Sequence, residues 1–220
     1  RATGQALPKL RLRVAFRSLR QHMMNRIFAI GAAALLLLCA AHSQAQGFAE
    51  EERDWGVVPP TTLRRPPYSA PTPIEIPGAR PVRTDELRRL LVAEAEAEKP
   101  LLFDVASGEG HVTLAGGLWW PGVGRGENFL DTIQGEVAIR LDEVTGGRKT
   151  RPLAFYCVNS QCWLSYNASL RAVALGYTRV LWYRGGVEAW RAAGLPLGQV
   201  REPWAAAVPV APASDAGKPR

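Results

Sequence analysis

Between residues 84 and 196 short apolar runs alternate with segments of helical spacing, and that alternation leaves little choice of architecture. PLLFDV (100–105), PLAFYC (152–157) and TRVLWY (178–183) fit strands buried on both faces. TDELRRLLVAEAEAEK (84–99), with Thr84 as N-cap, predicts a helix. Residues 128–144 predict another, with Phe129, Ile133, Val137 and Leu141 on one face. LSYNASLRAVAL follows with Leu164, Ala168, Ala172 and Leu175 aligned and Gly176 as its stop, and VEAWRAA ends at Gly194 and Pro196. Strands alternating with helices imply an α/β fold with a mostly parallel central sheet and helices on both faces.

The flanks read differently. MNRIFAIGAAALLLLCAAHSQAQ, from Met24, has the charged start, apolar run and small residues of a secretory signal peptide, with cleavage expected near Ala45. Residues 1–22 precede that start and are read as an over-extended frame. The apolar run falls short of the roughly 20 residues of a membrane span, so no span is expected in the mature chain. Eight prolines between residues 59 and 81 deny the segment a helix or an inner strand, and 46–82 is expected to be an extended arm laid on the domain. The domain itself is placed at 83–198, and the Ala/Pro-rich stretch 199–220 is expected to be a disordered tail.

Locating the charge removes one class of function. The formal charge is +7, but residues 1–45 hold seven Lys or Arg and no acid, leaving 20 of the 27 basic residues against all 20 acidic ones. A neutral mature chain offers no electrostatic footprint for nucleic acid. Export also places Cys157 and Cys162 in an oxidising compartment, where a disulfide persists.

Those cysteines bracket CVNSQCW (157–163), just after a buried strand and just before a helix. The carboxyl edge of such a sheet is where sites form, and amides and a helix N-terminus there favour a thiolate. No Asp or Glu occurs from Val144 to Val187, whereas Arg148, Lys149, Arg151, Arg171, Arg179 and Arg184 do, so a cationic rim is expected. The residues alone leave four readings open. A structural bridge across six residues is worth about 2 kcal/mol on loop entropy. Zinc needs four ligands, and only His111 joins the two cysteines. Haem attachment expects Cys-x-x-Cys-His, which is not the spacing here. Thiol chemistry, by persulfide or by disulfide exchange, completes the set.

LLFDV, HVTLAGGLWWPG, FYCVNSQCW and GYTRVLWYRGGVEAWRAAGLP together resemble the successive signatures of a rhodanese-like domain over about residues 83–198. The resemblance implies a sulfurtransferase with a persulfide on Cys157, cradled by the amides of Val158, Asn159, Ser160, Gln161 and Cys162. The loop departs from that pattern. Ser160 stands where glycine is common and Cys162 where arginine is common, which weakens thiosulfate binding and supplies a resolving thiol.

The Cys-x4-Cys-Trp arrangement, the leader and YSAPTPIEIPGARPV resemble the PQQ-dependent catabolism-associated CXXCW motif proteins. That likeness implies a periplasmic setting beside a PQQ-dependent alcohol dehydrogenase or a cytochrome c, with a small sulfur-containing anion or a protein thiol as partner. The site residues expected are Cys157 and Cys162, flanked by Val158, Asn159, Ser160, Gln161 and Trp163, with no cofactor and no metal. A thiol-disulfide accessory protein and a non-catalytic binding module are the alternatives. Asp104 is read as structural and His111 as satisfying local hydrogen bonds. Trp119, Trp120, Trp182 and Trp190 are read as core, Trp163 as a shield over the sulfur, and GVGRG (122–126) as a flexible loop.

Overall fold

The computed structural model describes residues 50–200 and 203–204. The expected leader and signal peptide (1–45) and the tail from 205 lie outside the described residues.

Three apolar runs become the middle of one sheet. Leu101–Asp104 (β2), Leu153–Tyr156 (β5) and Val180–Tyr183 (β6) pair in parallel, in the spatial order β6-β5-β2. Each is closed to solvent on both faces, β5 and β6 at every residue, which is why the sequence shows continuous apolar runs instead of alternation. Two short strands complete the sheet in parallel at its edges: Arg80–Pro81 (β1) beside β6, and Leu118–Trp119 (β4) beside β2. β1 comes from the proline-rich arm, and Pro81 is tolerated because an edge strand leaves one side of its backbone unpaired. Val112–Leu114 (β3) and Leu197–Gln199 (β7) form a separate antiparallel pair that fastens the end of the domain to the segment after β2.

Helices cover both faces, as expected. Thr132–Thr145 (α2) and Trp163–Ala174 (α3) pack on one face through Val137, Leu141, Leu164, Ala168 and Ala172, against Phe103, Leu153, Phe155 and Val180. Thr84–Leu91 (α1) and Gly186–Ala192 (α4) cover the other through Leu87, Val187, Ala189 and Trp190, against Leu102, Ala154, Tyr156, Leu181 and Tyr183.

The helix boundaries shift from the sequence reading for identifiable reasons. α1 stops at Leu91 instead of continuing to residue 99, because the Ala/Glu run beyond it has nothing to bury; only a 3-10 turn, Glu96–Glu98, remains. Thr84 is the first helical residue and not the cap. The cap's usual role falls to the Glu51 carboxylate, which accepts from Thr84 N at 3.2 Å and from Thr84 Oγ1 at 2.6 Å. α2 starts at Thr132 because Asp131 accepts from Gln134 N at 2.9 Å, so Phe129 lies before the helix and packs with the arm.

α3 carries an unforeseen second apolar side. Ten of its twelve residues are buried. Leu164, Ala168 and Ala172 face the sheet, while Trp163, Tyr166 and Leu170 pack beneath the arm with Leu63, Ile76 and Trp182. With the polar Ser165, Asn167, Ser169 and Arg171 buried as well, the helix is enclosed on nearly every side.

Two buried arginines fix what surrounds it. Arg171 forms a two-pronged ion pair with Asp131 at 2.6 and 2.9 Å and donates to Arg125 O and Gln134 Oε1. Arg184 donates to the carbonyls of Glu51, Arg53 and Thr72 at 2.8 to 3.1 Å and stacks over Trp55 at 4.7 Å, anchoring the arm. The 122–126 run is a packed turn, not a loose one: a Cβ on Gly124 would lie 2.1 Å from Leu164 O. Trp204 is also packed, 5.0 Å from Trp120 and 5.5 Å from Phe103 between ring centres. Trp204, within the stretch expected to be a disordered tail, is therefore docked on the core.

Candidate functional site

β5 delivers Cys157 to the carboxyl edge of the sheet, and the six residues 157–162 turn back into α3. Cys157 and Cys162 are joined, Sγ to Sγ at 2.04 Å with their Cα atoms 6.1 Å apart. Cys157 is 2% exposed and belongs to the core with Phe155, Leu164 and Ala168; Cys162 is only partly buried against that core.

Local hydrogen bonding shapes the loop. Asn159 Oδ1 accepts from Gln161 N at 3.0 Å and Asn159 O from Cys162 N at 3.2 Å, a tight turn that presents the two sulfurs to each other. On one side the first turn of α4 holds the loop's backbone: Val187 N donates to Cys157 O at 3.0 Å and Glu188 N to Val158 O at 2.9 Å. Gly186 must be glycine there, with φ +61° and a would-be Cβ 2.4 Å from Cys157 O. Asn159 Nδ2 reaches Glu188 Oε2 at 3.1 Å.

On the other side lies the arm. Tyr68 to Thr72 run antiparallel to the end of the loop, with Ser69 opposite Cys162. Ala70 N donates to Gln161 O and Tyr68 O accepts from Trp163 N, both at 2.9 Å. Thr72 Oγ1 donates to Ser160 O at 2.6 Å and also accepts from Arg184 Nε at 3.0 Å, so the arm's anchor and the cysteine loop share one hydroxyl. None of these arm residues was legible as part of the site. Proline content says that the segment is extended, but only the third dimension says where it docks.

The loop residues separate by role. Val158 and Gln161 are exposed, Ser160 is buried, and Asn159 makes the turn. Trp163 does not group with the sulfurs: it is buried in the arm cluster, donates to Pro71 O at 3.1 Å, and carries the Arg64 guanidinium 4.9 Å from its ring. Two of the five amides of the expected cradle are committed, since the N-H groups of Gln161 and Cys162 have acceptors within the loop, and the Trp163 N-H just beyond it donates to the arm. The cationic rim is likewise dispersed. Arg171 pairs with Asp131, Arg179 with Glu98, Lys149 with Asp142, and Arg184 with arm carbonyls.

Asp104 sits at the neighbouring strand end, but its side chain is on the opposite face of the sheet. It is fully buried and accepts from Ala106 N at 2.9 Å, Thr113 Oγ1 at 2.5 Å and His111 Nε2 at 3.0 Å. Because Thr113 donates to Asp104, Tyr156 OH must donate to Thr113, at 2.7 Å. Burial, and then the Asp104 charge, push the Tyr156 phenol well above its ordinary pKa, so it remains a donor. His111 Nδ1 faces Gly108 O at 2.8 Å. Asp104 and His111 thus form a buckle with their hydrogen-bonding atoms occupied, turned away from the cysteines.

A family model described as the rhodanese-like domain matches residues 121–193, from the turn before α2 through α4, and so includes the cysteine loop. With the parallel sheet covered on both faces, that match gives a rhodanese-like fold. Among solved structures, a yeast protein tyrosine phosphatase of the rhodanese family is 20% identical over 54% of this chain and 88% of that one, with a TM-score of 0.39. A rhodanese-like domain from an Anabaena sp. protein is 17% identical over 57% and 85%, with a TM-score of 0.37. A variant of EanB solved with hercynine is 20% identical over 53% of this chain but only 30% of its own, with a TM-score of 0.39. Likenesses at this level carry no activity across. No curated protein matches the chain.

Proposed function

We propose that the Cys157–Cys162 pair is a reversible dithiol-disulfide couple on a rhodanese-like scaffold, serving protein or small-molecule thiols in the periplasm. The observation that carries this is the closed bond itself, in a tight turn at the carboxyl edge of a parallel sheet. A bond across so few residues adds only about 2 kcal/mol to a domain that already has a two-faced core, so stabilisation is a weak reason for it. In exchange, a partner thiolate attacks one sulfur, the intramolecular bond breaks, and the other cysteine leaves as thiolate. A second partner thiolate then attacks the partner sulfur of that mixed disulfide and expels the protein cysteine as thiolate, so the partner is oxidised by two electrons and the pair reduced by two.

Sulfur transfer is the second reading, supported by the position of Cys157 at a strand end and by the family match over the loop. It needs reduction of the bond first. Cys157 thiolate then takes the sulfane sulfur of thiosulfate, sulfite leaves, and the terminal persulfide sulfur finds at most the amides of residues 158–160 uncommitted. The service to a PQQ-dependent alcohol dehydrogenase or a cytochrome c, implied by the Cys157 to Trp163 motif and the leader, belongs to the same proposal. A binding module using the arm is less favoured, because the arm is already engaged by the domain through Arg184 and the loop.

Intact mass distinguishes the readings. Reduced protein treated with thiosulfate, then freed of it, is expected to return two hydrogens lighter on oxidation and to carry no added sulfur. A stable gain of one sulfur mapped to Cys157 would overturn the redox reading in favour of sulfur transfer.

A further inference from the structure

We infer that Cys162, and not Cys157, is the sulfur that a partner thiolate meets, with Cys157 the buried leaving and resolving thiol. This rests on the exchange reading above and adds an order of attack to it, opposite to the order that the rhodanese-like resemblance implies.

Access is the first argument. Cys157 is 2% exposed, its sulfur in a core lined by Phe155, Leu164 and Ala168, and its carbonyl is clamped by Val187 N. Cys162 is partly exposed and follows the exposed Gln161. The arm covers the loop from the Ser69 side, and α4 holds it from the other. What is left is an approach over Val158, 41% exposed, and Gln161. An attacking sulfur on that path reaches Cys162 without opening the core.

Charge is the second argument. Cys162 is the N-cap residue of α3, a twelve-residue helix with no acidic residue in its first turn. Its sulfur lies at the positive end of the helix dipole, a position that favours an anionic sulfur. Cys157 has apolar neighbours, which favour its thiol form. The reduced protein therefore attacks from Cys162: its thiolate displaces one half of a partner disulfide, the mixed bond forms on Cys162, and Cys157 loses its proton and displaces the remaining half. The turn at Asn159 and the strand pairing of Ser69 with Cys162 hold the two cysteines close enough for that second step without outside help.

The test compares Cys157→Ser and Cys162→Ser with an aromatic disulfide reagent at neutral pH. Cys162 in the first variant is expected to react about tenfold faster than Cys157 in the second. Equal rates, or a faster Cys157, would overturn the assignment. Where either variant fails to fold, the reduced wild-type protein decides: it is given glutathione disulfide, quenched in acid and mapped. Glutathione on Cys162 is expected; glutathione on Cys157 is the contrary result. Made together with Cys39→Ser, each variant has a single free thiol and needs no cycling of the wild-type pair. A pair that proves inert in the wild-type protein would therefore sink the exchange reading while leaving the order of attack measurable.

Discussion

Two loops leave the carboxyl edge of the sheet side by side, 105–111 after β2 and 157–162 after β5, and they are closed by different means. The first is buckled by side chains: a buried Asp104 gathers Ala106 N, Thr113 and His111. The second is closed by a covalent bond between Cys157 and Cys162 and by backbone borrowed from the arm. Opening the first leaves a carboxylate stranded in the core, so it does not cycle. Opening the second takes two electrons, and the arm and α4 keep its shape. On the exchange reading, chemistry falls to the loop whose closure can be reversed, and Asp104 and His111 hold the other loop at the same edge.

The largest effect should come from breaking the side-chain buckle. Asp104→Ala leaves Thr113, His111 and Ala106 N without their acceptor, and a loss of roughly 3 to 5 kcal/mol is expected, as for other broken buried pairs. Urea unfolding reads it, and a change below about 1 kcal/mol would mean that the network is not what holds the loop.

Removing the arm's anchor should rank next. Arg184→Met deprives the carbonyls of Glu51, Arg53 and Thr72 of a charged donor, with an expected cost of about 2 to 3 kcal/mol. Trypsin should then cut after Arg64 while the sheet stays protected. Global unfolding with no early arm cleavage would show that arm and domain cannot be separated.

Reduction of the disulfide should cost only about 2 kcal/mol, with the fold intact by circular dichroism. A reduced protein that unfolds would place this loop beside the Asp104 loop as a structural closure.

The smallest effects are in pH. Burial raises the Glu51 pKa, outweighing the lowering by Thr84's hydrogen bonds, so its contribution is present below the unfolded glutamate value and lost as pH rises through the raised one. For Asp131 burial acts upward, but the hydrogen bonds of Arg171 and Gln134 N hold its pKa below the usual range. That contribution is present above the unfolded value and lost as pH falls through the lowered one. Glu51→Gln should flatten the first slope and Asp131→Asn the second, in unfolding midpoints across a pH series.

The core strands, the faces of α2 and α3 toward the sheet and the position of Cys157 were legible because buried parallel strands and helical spacing leave direct marks in sequence. The second apolar face of α3, with Trp163, Tyr166 and Leu170, was not, because it is matched by an arm more than 90 residues earlier whose prolines hide its docking register. Arg184 read as a rim charge, since a buried arginine paired with backbone carbonyls has no acidic partner to reveal it. The bond between the cysteines was one of several open readings, because spacing permits a bridge without requiring it.

The most direct test of the central claim is the reduction potential of the Cys157–Cys162 bond, measured by equilibrating the protein in graded thiol-disulfide buffers and counting alkylated cysteines. The account predicts a value above roughly −300 mV, within the range of exchange-active pairs. A bond that stays oxidised below that value would contradict it and make the loop a permanent staple.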